Sequence, residues 1–196
     1  MKNKTMTYVL VMLVLVIAVG LGFWNLMEQK RGEESLQKQS NDDEIEFLLK
    51  KDFENNYPQT PREVLKFYSR INSCLYNKEM SQSEFEQLVD KMRLLFDTEL
   101  LEKNEKKTQL RQLLKDRKSF KKEKKTISTY TIDINSSVVK KKKKGRYYAS
   151  LRASYLVQQG NKGSYSKTNE NFLLRQNDDG KWKILGWKII EQAVEE

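Results

Sequence analysis

The pattern of apolar and polar positions changes from a helical period to a strand period near residue 126. Between residues 45 and 120, apolar side chains recur every three or four positions, as they do on one face of a helix. From Thr126 onward they alternate with polar side chains, as in a strand with one buried face. Helices followed by strands predict an α+β fold.

Two of the predicted helices have clear starts. Thr60 is an expected N-cap, Pro61 the first helical residue and Glu63 the capping-box acid, and Ser81 and Glu84 repeat the capping box. An apolar stripe follows each start, so the pattern predicts two antiparallel helices joined by a short turn.

Two further helices are predicted with weaker signals. A third helix is expected over residues 106–120, where Leu110, Leu113 and Leu114 share one face. A short helix that begins near Ile45 is expected to end before Pro58.

Four strands are predicted to form an antiparallel meander. Their turns are expected at residues 160–163 and 177–180, where glycine, asparagine and aspartate cluster. Gly186 interrupts the alternation of the last strand and predicts a bulge. The four strand sequences are TISTYTIDI, RYYASLRASYLV, NKGSYSKTNENFLLRQ and GKWKILGWKII.

Residues 7–27 carry no charge and are dominated by valine, leucine, isoleucine and methionine. About 20 such residues in a helix span the hydrocarbon core, so the segment predicts a transmembrane anchor in the lipid bilayer. Tyr8 and Trp24 stand near its two ends, where aromatic residues favour the membrane interface. The alternative is a cleaved signal peptide with a cleavage site near Ala18 to Gly20.

The anchor sets the expected domain organisation and location. Residues 1–6 form a short tail, residues 28–44 a polar linker, residues 45–192 the α+β domain and residues 193–196 a second tail. Positive charges are nearly balanced across the anchor, but the acidic stretch after it favours a cytoplasmic N-terminus. The sequence therefore predicts a single-pass membrane protein with an extracytoplasmic C-terminal domain.

Composition argues against an enzyme. The 196 residues include one cysteine, Cys74, and no histidine. This excludes Ser/His and Cys/His nucleophile pairs and every histidine-ligated metal site. We therefore expect no catalytic residue, no metal site and no cofactor.

Charge indicates an anionic partner. Lysine and arginine number 37 against 27 acidic residues, a net charge of +10, and the excess is concentrated after residue 104. Two lysine runs contribute most to it, and they form the predicted surface for an anionic partner. The residues are Lys121, Lys122, Lys124, Lys125, Lys140, Lys141, Lys142, Lys143 and Lys144.

The second lysine run has two interpretations. Lys140 to Lys144 stand between two predicted strands, where solvated lysines at a hairpin tip would limit aggregation. The same residues could bind a polyanion, although the first run lies at the other end of the predicted strand. Nucleic acid is the less favoured polyanion, because alternation is expected to bury one of the adjacent Tyr147 and Tyr148.

Other residues with possible chemistry have structural interpretations. Trp182 and Trp187 are predicted to be core aromatics, and Cys74 a buried thiol. Asp133 and Arg152 fall on the polar side of their strands and are expected to face solvent.

The order of elements resembles the nuclear-transport-factor-two-like fold of the cystatin-like class. The chain is also similar to a family of uncharacterised membrane-anchored proteins from Gram-positive gut anaerobes. The phrases that carry the resemblance are TPREVLKFYSRINSCLYN, TISTYTIDI and DDGKWKILGW. The resemblance implies two to three helices packed on a curved four-stranded sheet, shaped as a cone with a pocket at its open end.

Three functions follow as hypotheses. The first is a non-enzymatic binding or assembly module for an anionic envelope polymer or protein, with a possible homodimer through the sheet. The second, implied by the resemblance, is an enzyme or small-ligand binder that uses the cone. It would need an inward carboxyl group beside a tyrosine. The third is a membrane-tethered binder of a polyanion or nucleic acid, which for nucleic acid requires the reverse topology, with the domain in the cytoplasm.

Overall fold

The computed structural model describes residues 41–133, 139–143, 145–160 and 164–190. Within them, five helices precede five strands, which confirms the α+β class. The helices are α1 (Asn41–Lys50), α2 (Pro61–Asn77), α3 (Gln82–Arg93), α4 (Thr98–Lys103) and α5 (Lys106–Lys122). The strands are β1 (Lys125–Ile132), β2 (Val139–Lys143), β3 (Arg146–Gln159), β4 (Ser164–Gln176) and β5 (Trp182–Ile190).

The strands form one antiparallel sheet. Its order is β1-β3-β4-β5, and β2 pairs with β3 beyond the end of β1. The sheet is therefore four strands wide, as predicted, but β1 and β2 share its first position.

The transmembrane component of the fold prediction was wrong for this structure. No helix among the described residues is long and apolar enough to cross a bilayer. The predicted anchor at residues 7–27, with Tyr8 and Trp24, lies outside the described residues. The predicted membrane location and orientation depend on that segment and stay predictions.

Both predicted capping boxes are present. The Thr60 hydroxyl accepts a hydrogen bond from the Glu63 amide at 3.2 Å, and the Glu63 carboxylate accepts one from the Thr60 amide at 2.9 Å. Ser81 and Glu84 make the same pair of contacts at 3.2 and 2.7 Å. These bonds satisfy amides that the helix itself leaves unpaired, so α2 and α3 begin where the sequence indicates.

The helices cover one face of the sheet, which we call the inner face. β3 buries alternate residues on it, from Ala149 to Val157. α2 packs across this face, where Tyr68 contacts Phe172 at 5.2 Å and Trp187 at 5.6 Å between ring centroids. Burial of these apolar side chains is the main stabilising contribution to the domain.

A bulge and an added segment shape the last strand. The register of β4 with β5 shifts between Leu173 and Leu174, which pair with Gly186 and Ile184, so the predicted bulge is confirmed. On the other edge of β5, Ile184 exchanges backbone hydrogen bonds with Leu95 and Asp97, each at 2.8 Å. This segment covers part of an edge that would otherwise be open.

Candidate functional site

The second lysine run forms a strand. Lys140 to Lys143 pair with β3 as part of β2, so their interpretation as a hairpin tip is corrected. Lys143 pairs with Arg146, and Gly145 has a φ of 79°, which favours glycine in the tight reversal. Lys144 lies outside the described residues.

Lys142 is the lysine of this run whose side chain is described. It is exposed, and its ammonium group lies 5.3 Å from the centroid of the Tyr147 ring. Tyr147 is 46% exposed. The contact is a cation–π interaction at the end of the sheet.

The first lysine run is partly neutralised. Lys121 forms an ion pair with Glu79 at 2.7 Å, and the nearly buried Lys125 side chain forms one with Glu123. Lys122 and Lys124 are exposed. Two of these four predicted site residues therefore already have acidic partners in the fold.

The structure does not bring the two runs together. Lys125 pairs with Gln159 at one end of β3, whereas Lys143 pairs with Arg146 at the other. β3 contains 14 residues, which at about 3.3 Å each separate its ends by roughly 43 Å. The described parts of the two lysine runs therefore lie at opposite ends of β3.

A different cationic surface lies on the outer face of the sheet, opposite the helices. Arg152, Asn171 and Lys188 are adjacent on β3, β4 and β5. Lys167 lies four residues before Asn171 on β4, on the same face. The three basic side chains are exposed, and no described residue forms an ion pair with them. The predicted solvent exposure of Arg152 is confirmed, but the cluster itself was not predicted from the sequence.

The inner face holds a buried carboxyl group that sequence analysis also missed. Glu170 on β4 pairs with Ala153 on β3 and is 7% exposed. Desolvation raises its pKa to about 7. No described residue donates a hydrogen bond to it. Its charge contributes to raising the pKa of three buried phenols, those of Tyr68, Tyr76 and Tyr155.

The surroundings of Glu170 are polar but closely packed. The hydroxyl groups of Ser69 and Tyr155 share a hydrogen bond of 2.8 Å. Asn72 Oδ1 and the Tyr76 hydroxyl are buried without a hydrogen-bond partner among the described residues. The apolar residues around them, which include Phe172 and Ile132, are themselves buried. The inner face therefore combines unpaired polar groups with buried apolar side chains.

Most of the remaining candidate residues lie where sequence analysis placed them, or close to it. Trp182 is buried in the core, and Trp187 stacks on Phe172 with ring centroids 5.5 Å apart. Cys74 is buried, and desolvation raises its pKa to about 12. Asp133, which was predicted to face solvent, is instead half-buried at the end of β1, where its amide donates to the Arg152 carbonyl at 3.0 Å. Among the described residues, no group of three or more cysteine, aspartate and glutamate side chains could hold a metal ion.

One cleft of about 480 Å³ lies among the helices rather than on the sheet. Gln87, Asp90, Arg93 and Leu101 are among the residues around it. Leu94 contributes an exposed apolar side chain. Neither Glu170 nor the outer-face cations line the cleft, so it is separate from both of those sites.

These features define an α+β domain with a packed inner face and a basic outer face that no described helix covers. The chain belongs to the family described as a domain of unknown function, DUF6715, whose model matches residues 1–187. Membership of an uncharacterised family was predicted and is confirmed. No curated protein matches the chain.

Proposed function

We propose that this domain is a non-enzymatic binding module that holds an anionic partner on the outer face of its sheet. The observation that carries the proposal is the exposed cluster of Arg152, Lys167 and Lys188, none of which has an acidic partner among the described residues. Exposed cations without fixed counterions attract anions and speed their association.

The fold supports a binding role for this face. The helices and most of the buried apolar side chains lie on the inner face, whereas the described helices leave the outer face uncovered. The outer face carries basic and polar side chains together with the exposed Tyr165 and Leu173. The proposed partner class is an anionic polymer or protein. The proposed fold type is nuclear-transport-factor-two-like, supported by helices packed on one side of an antiparallel meander.

Charge reversal on matched surfaces tests the proposal. The test variant changes Arg152, Lys167 and Lys188 to glutamate. The control variant changes Lys107, Arg111 and Lys118, which lie along α5, to glutamate. Both variants alter net charge equally, so they separate a local site from the general effect of a basic protein.

The readout is binding of the full chain to inorganic polyphosphate, polyglutamate and neutral dextran. We expect the unmodified chain to bind the two anionic polymers but not dextran, and the outer-face variant to lose at least about tenfold in affinity. Equal losses in both variants, or a larger loss in the α5 variant, would contradict the proposal.

A small-ligand site around Glu170 is the second candidate. The observation that favours it is a buried carboxyl group, with a pKa of about 7, near three phenols. A thermal-shift screen of small polar compounds tests it. A compound that stabilises the unmodified chain but not a Glu170→Leu variant would support this site, and stabilisation of both variants would exclude it.

A further inference from the structure

We propose that Arg152, Asn169, Asn171 and Lys188 form a site for the phosphate groups of a hydrophilic polymer. This inference rests on the proposed function and adds the chemistry of the ligand. It depends on how two asparagine side chains are oriented at the centre of the outer face.

Two serines fix the orientation of the asparagines. Ser154 Oγ donates to Asn169 Oδ1 at 2.6 Å, and Ser150 Oγ donates to Asn171 Oδ1 at 3.0 Å. The carboxamide oxygens therefore already have donors. Neither Nδ2 group donates to a described residue. The half-buried Asn171 carboxamide is thereby held with a donor end that no described residue uses.

The two asparagines are held in a compact arrangement. Asn169 is only 8% exposed although it lies on the outer face, so its side chain has little freedom to turn. The two residues share a face two positions apart on β4, roughly 6.6 Å along the strand. A ligand would meet donors that need little ordering on binding.

Cations flank the asparagines. Arg152 lies beside Asn171 on β3, and Lys188 lies beside it on β5. Neighbouring strands are about 4.8 Å apart, so both charges are within reach of an anion centred on Asn171. Hydrogen bonds from arginine, lysine and amide groups to one anion are charge-assisted and therefore strong.

The arrangement favours phosphate over carboxylate. Hydrogen-bond donors surround Asn171. Arg152 and Lys188 lie on the two neighbouring strands, and Asn169 lies on the same strand. A phosphate group within a chain presents two non-bridging and two bridging oxygens in a tetrahedral arrangement, so its acceptors do not share one plane, whereas the two oxygens of a carboxylate do. Arginine binds phosphate and carboxylate alike with two parallel hydrogen bonds, so the preference for phosphate rests on the other donors around Asn171.

A polymer fits the wider surface better than an isolated anion does. Lys167 lies four residues from Asn171 on the same face, roughly 13 Å along β4. It can meet a later anionic group of the same chain. The two central rungs hold no aromatic side chain, although Tyr165 is exposed two residues before Lys167. One rung contains Thr131, Ser154, Asn169 and Ile190, and the other contains Asp133, Arg152, Asn171 and Lys188. They therefore lack a surface on which bases would stack.

The test compares Asn171→Asp with Thr129→Asp in the full chain. Asn171→Asp keeps the shape of the side chain but replaces donors with acceptors. Thr129→Asp adds the same charge at an exposed position of the same face, two outer-face rungs from Asn171 and two strands from Lys167. We expect Asn171→Asp to weaken binding of inorganic polyphosphate by about tenfold, and Thr129→Asp by less than about threefold.

A Lys188→Gln variant tests the site if Asn171→Asp does not fold. It removes a cation at an exposed position, and we expect it to weaken polyphosphate binding as well. Unchanged polyphosphate affinity in this variant would overturn the proposed site.

The outcomes separate this inference from the proposed function. If polyphosphate and polyglutamate bind equally and the two aspartate variants behave alike, the phosphate site is wrong but anion binding stands. If neither polymer binds the unmodified chain, both are wrong. Much tighter binding of single-stranded DNA than of polyphosphate, at equal phosphate concentration, would show recognition of bases and also overturn the inference.

Discussion

Arg152 and Lys188 lie two strands apart on the outer face, with only Asn171 between them. The separation of their backbones is roughly 10 Å. By contrast, Arg70 is paired with Glu44, and Arg175 with Asp97. Two like charges at this spacing contribute nothing favourable to folding, so their placement is better explained by a ligand than by stability.

Glu170 predicts a pH-dependent stability. Its pKa is raised to about 7 in the folded protein from an ordinary value of 4.5. Above pH 7 the folded state must bury an ionised carboxylate, whereas below 4.5 both states hold the neutral acid. The destabilisation is therefore absent at low pH, develops between these values and is complete above them.

Glu170→Gln should accordingly stabilise the protein at neutral and alkaline pH. We expect a gain of about 3 kcal/mol in the free energy of unfolding near pH 8, which vanishes near pH 4.5. Urea denaturation at both pH values measures it, with exposed Glu102→Gln as the control. If the Glu170→Gln variant is no more stable than the unmodified protein at pH 8, this explanation is refuted.

Arg175 and Asp97 form a buried ion pair that joins β4 to α4. Arg175 Nε donates to Asp97 Oδ2 at 3.0 Å, and a terminal guanidinium nitrogen donates to Oδ1. The Asp97 side chain is 4% exposed and also accepts from the Glu99 amide at the start of α4. The pair therefore anchors a helix to the sheet.

Arg175→Gln should be strongly destabilising because it leaves the Asp97 carboxylate buried without its cation. We expect a loss of about 3 kcal/mol in the free energy of unfolding, with a smaller loss when Asp97→Asn is added. Chemical denaturation of the two single variants and the double variant measures the coupling. Additive losses would mean that the pair contributes no specific stabilisation.

The α2 capping box gives a smaller, local prediction. Thr60→Ala removes the hydroxyl that accepts from the Glu63 amide, and we expect it to cost about 1 kcal/mol. Thr60→Ser keeps the hydroxyl and serves as the matched control. Thermal unfolding of both variants tests the cap. If both variants lose equal stability, the effect comes from the methyl group, which both lack, and not from the hydroxyl.

The helices that have a clear N-cap and an apolar stripe in the sequence were predicted correctly. The caps at Thr60 and Ser81 and the stripes that follow fix α2 and α3 from a few neighbouring residues. α4 was missed because its six residues bury only Leu100, too few for a period. α1 starts at Asn41, four residues before the predicted domain boundary, where the sequence is polar.

Local sequence patterns were not enough to predict the lysine-rich strand β2 or the functional surfaces. A uniform lysine run shows no alternation, so nothing in it distinguishes β2 from a loop. Glu170 did have a signal, because it alternates with Phe172 and Leu174, but a charged residue suggests an exposed position. The outer-face cluster depends on the register of three strands, which the sequence does not specify by itself.

The most direct test of the binding surface is an NMR titration of the ¹⁵N-labelled full chain with inorganic polyphosphate. The account predicts that amide shifts move together at Arg152, Asn169, Asn171 and Lys188, with little change along α5. Shifts confined to residues 121–125, or to the surroundings of Glu170, would place the ligand elsewhere and contradict the account.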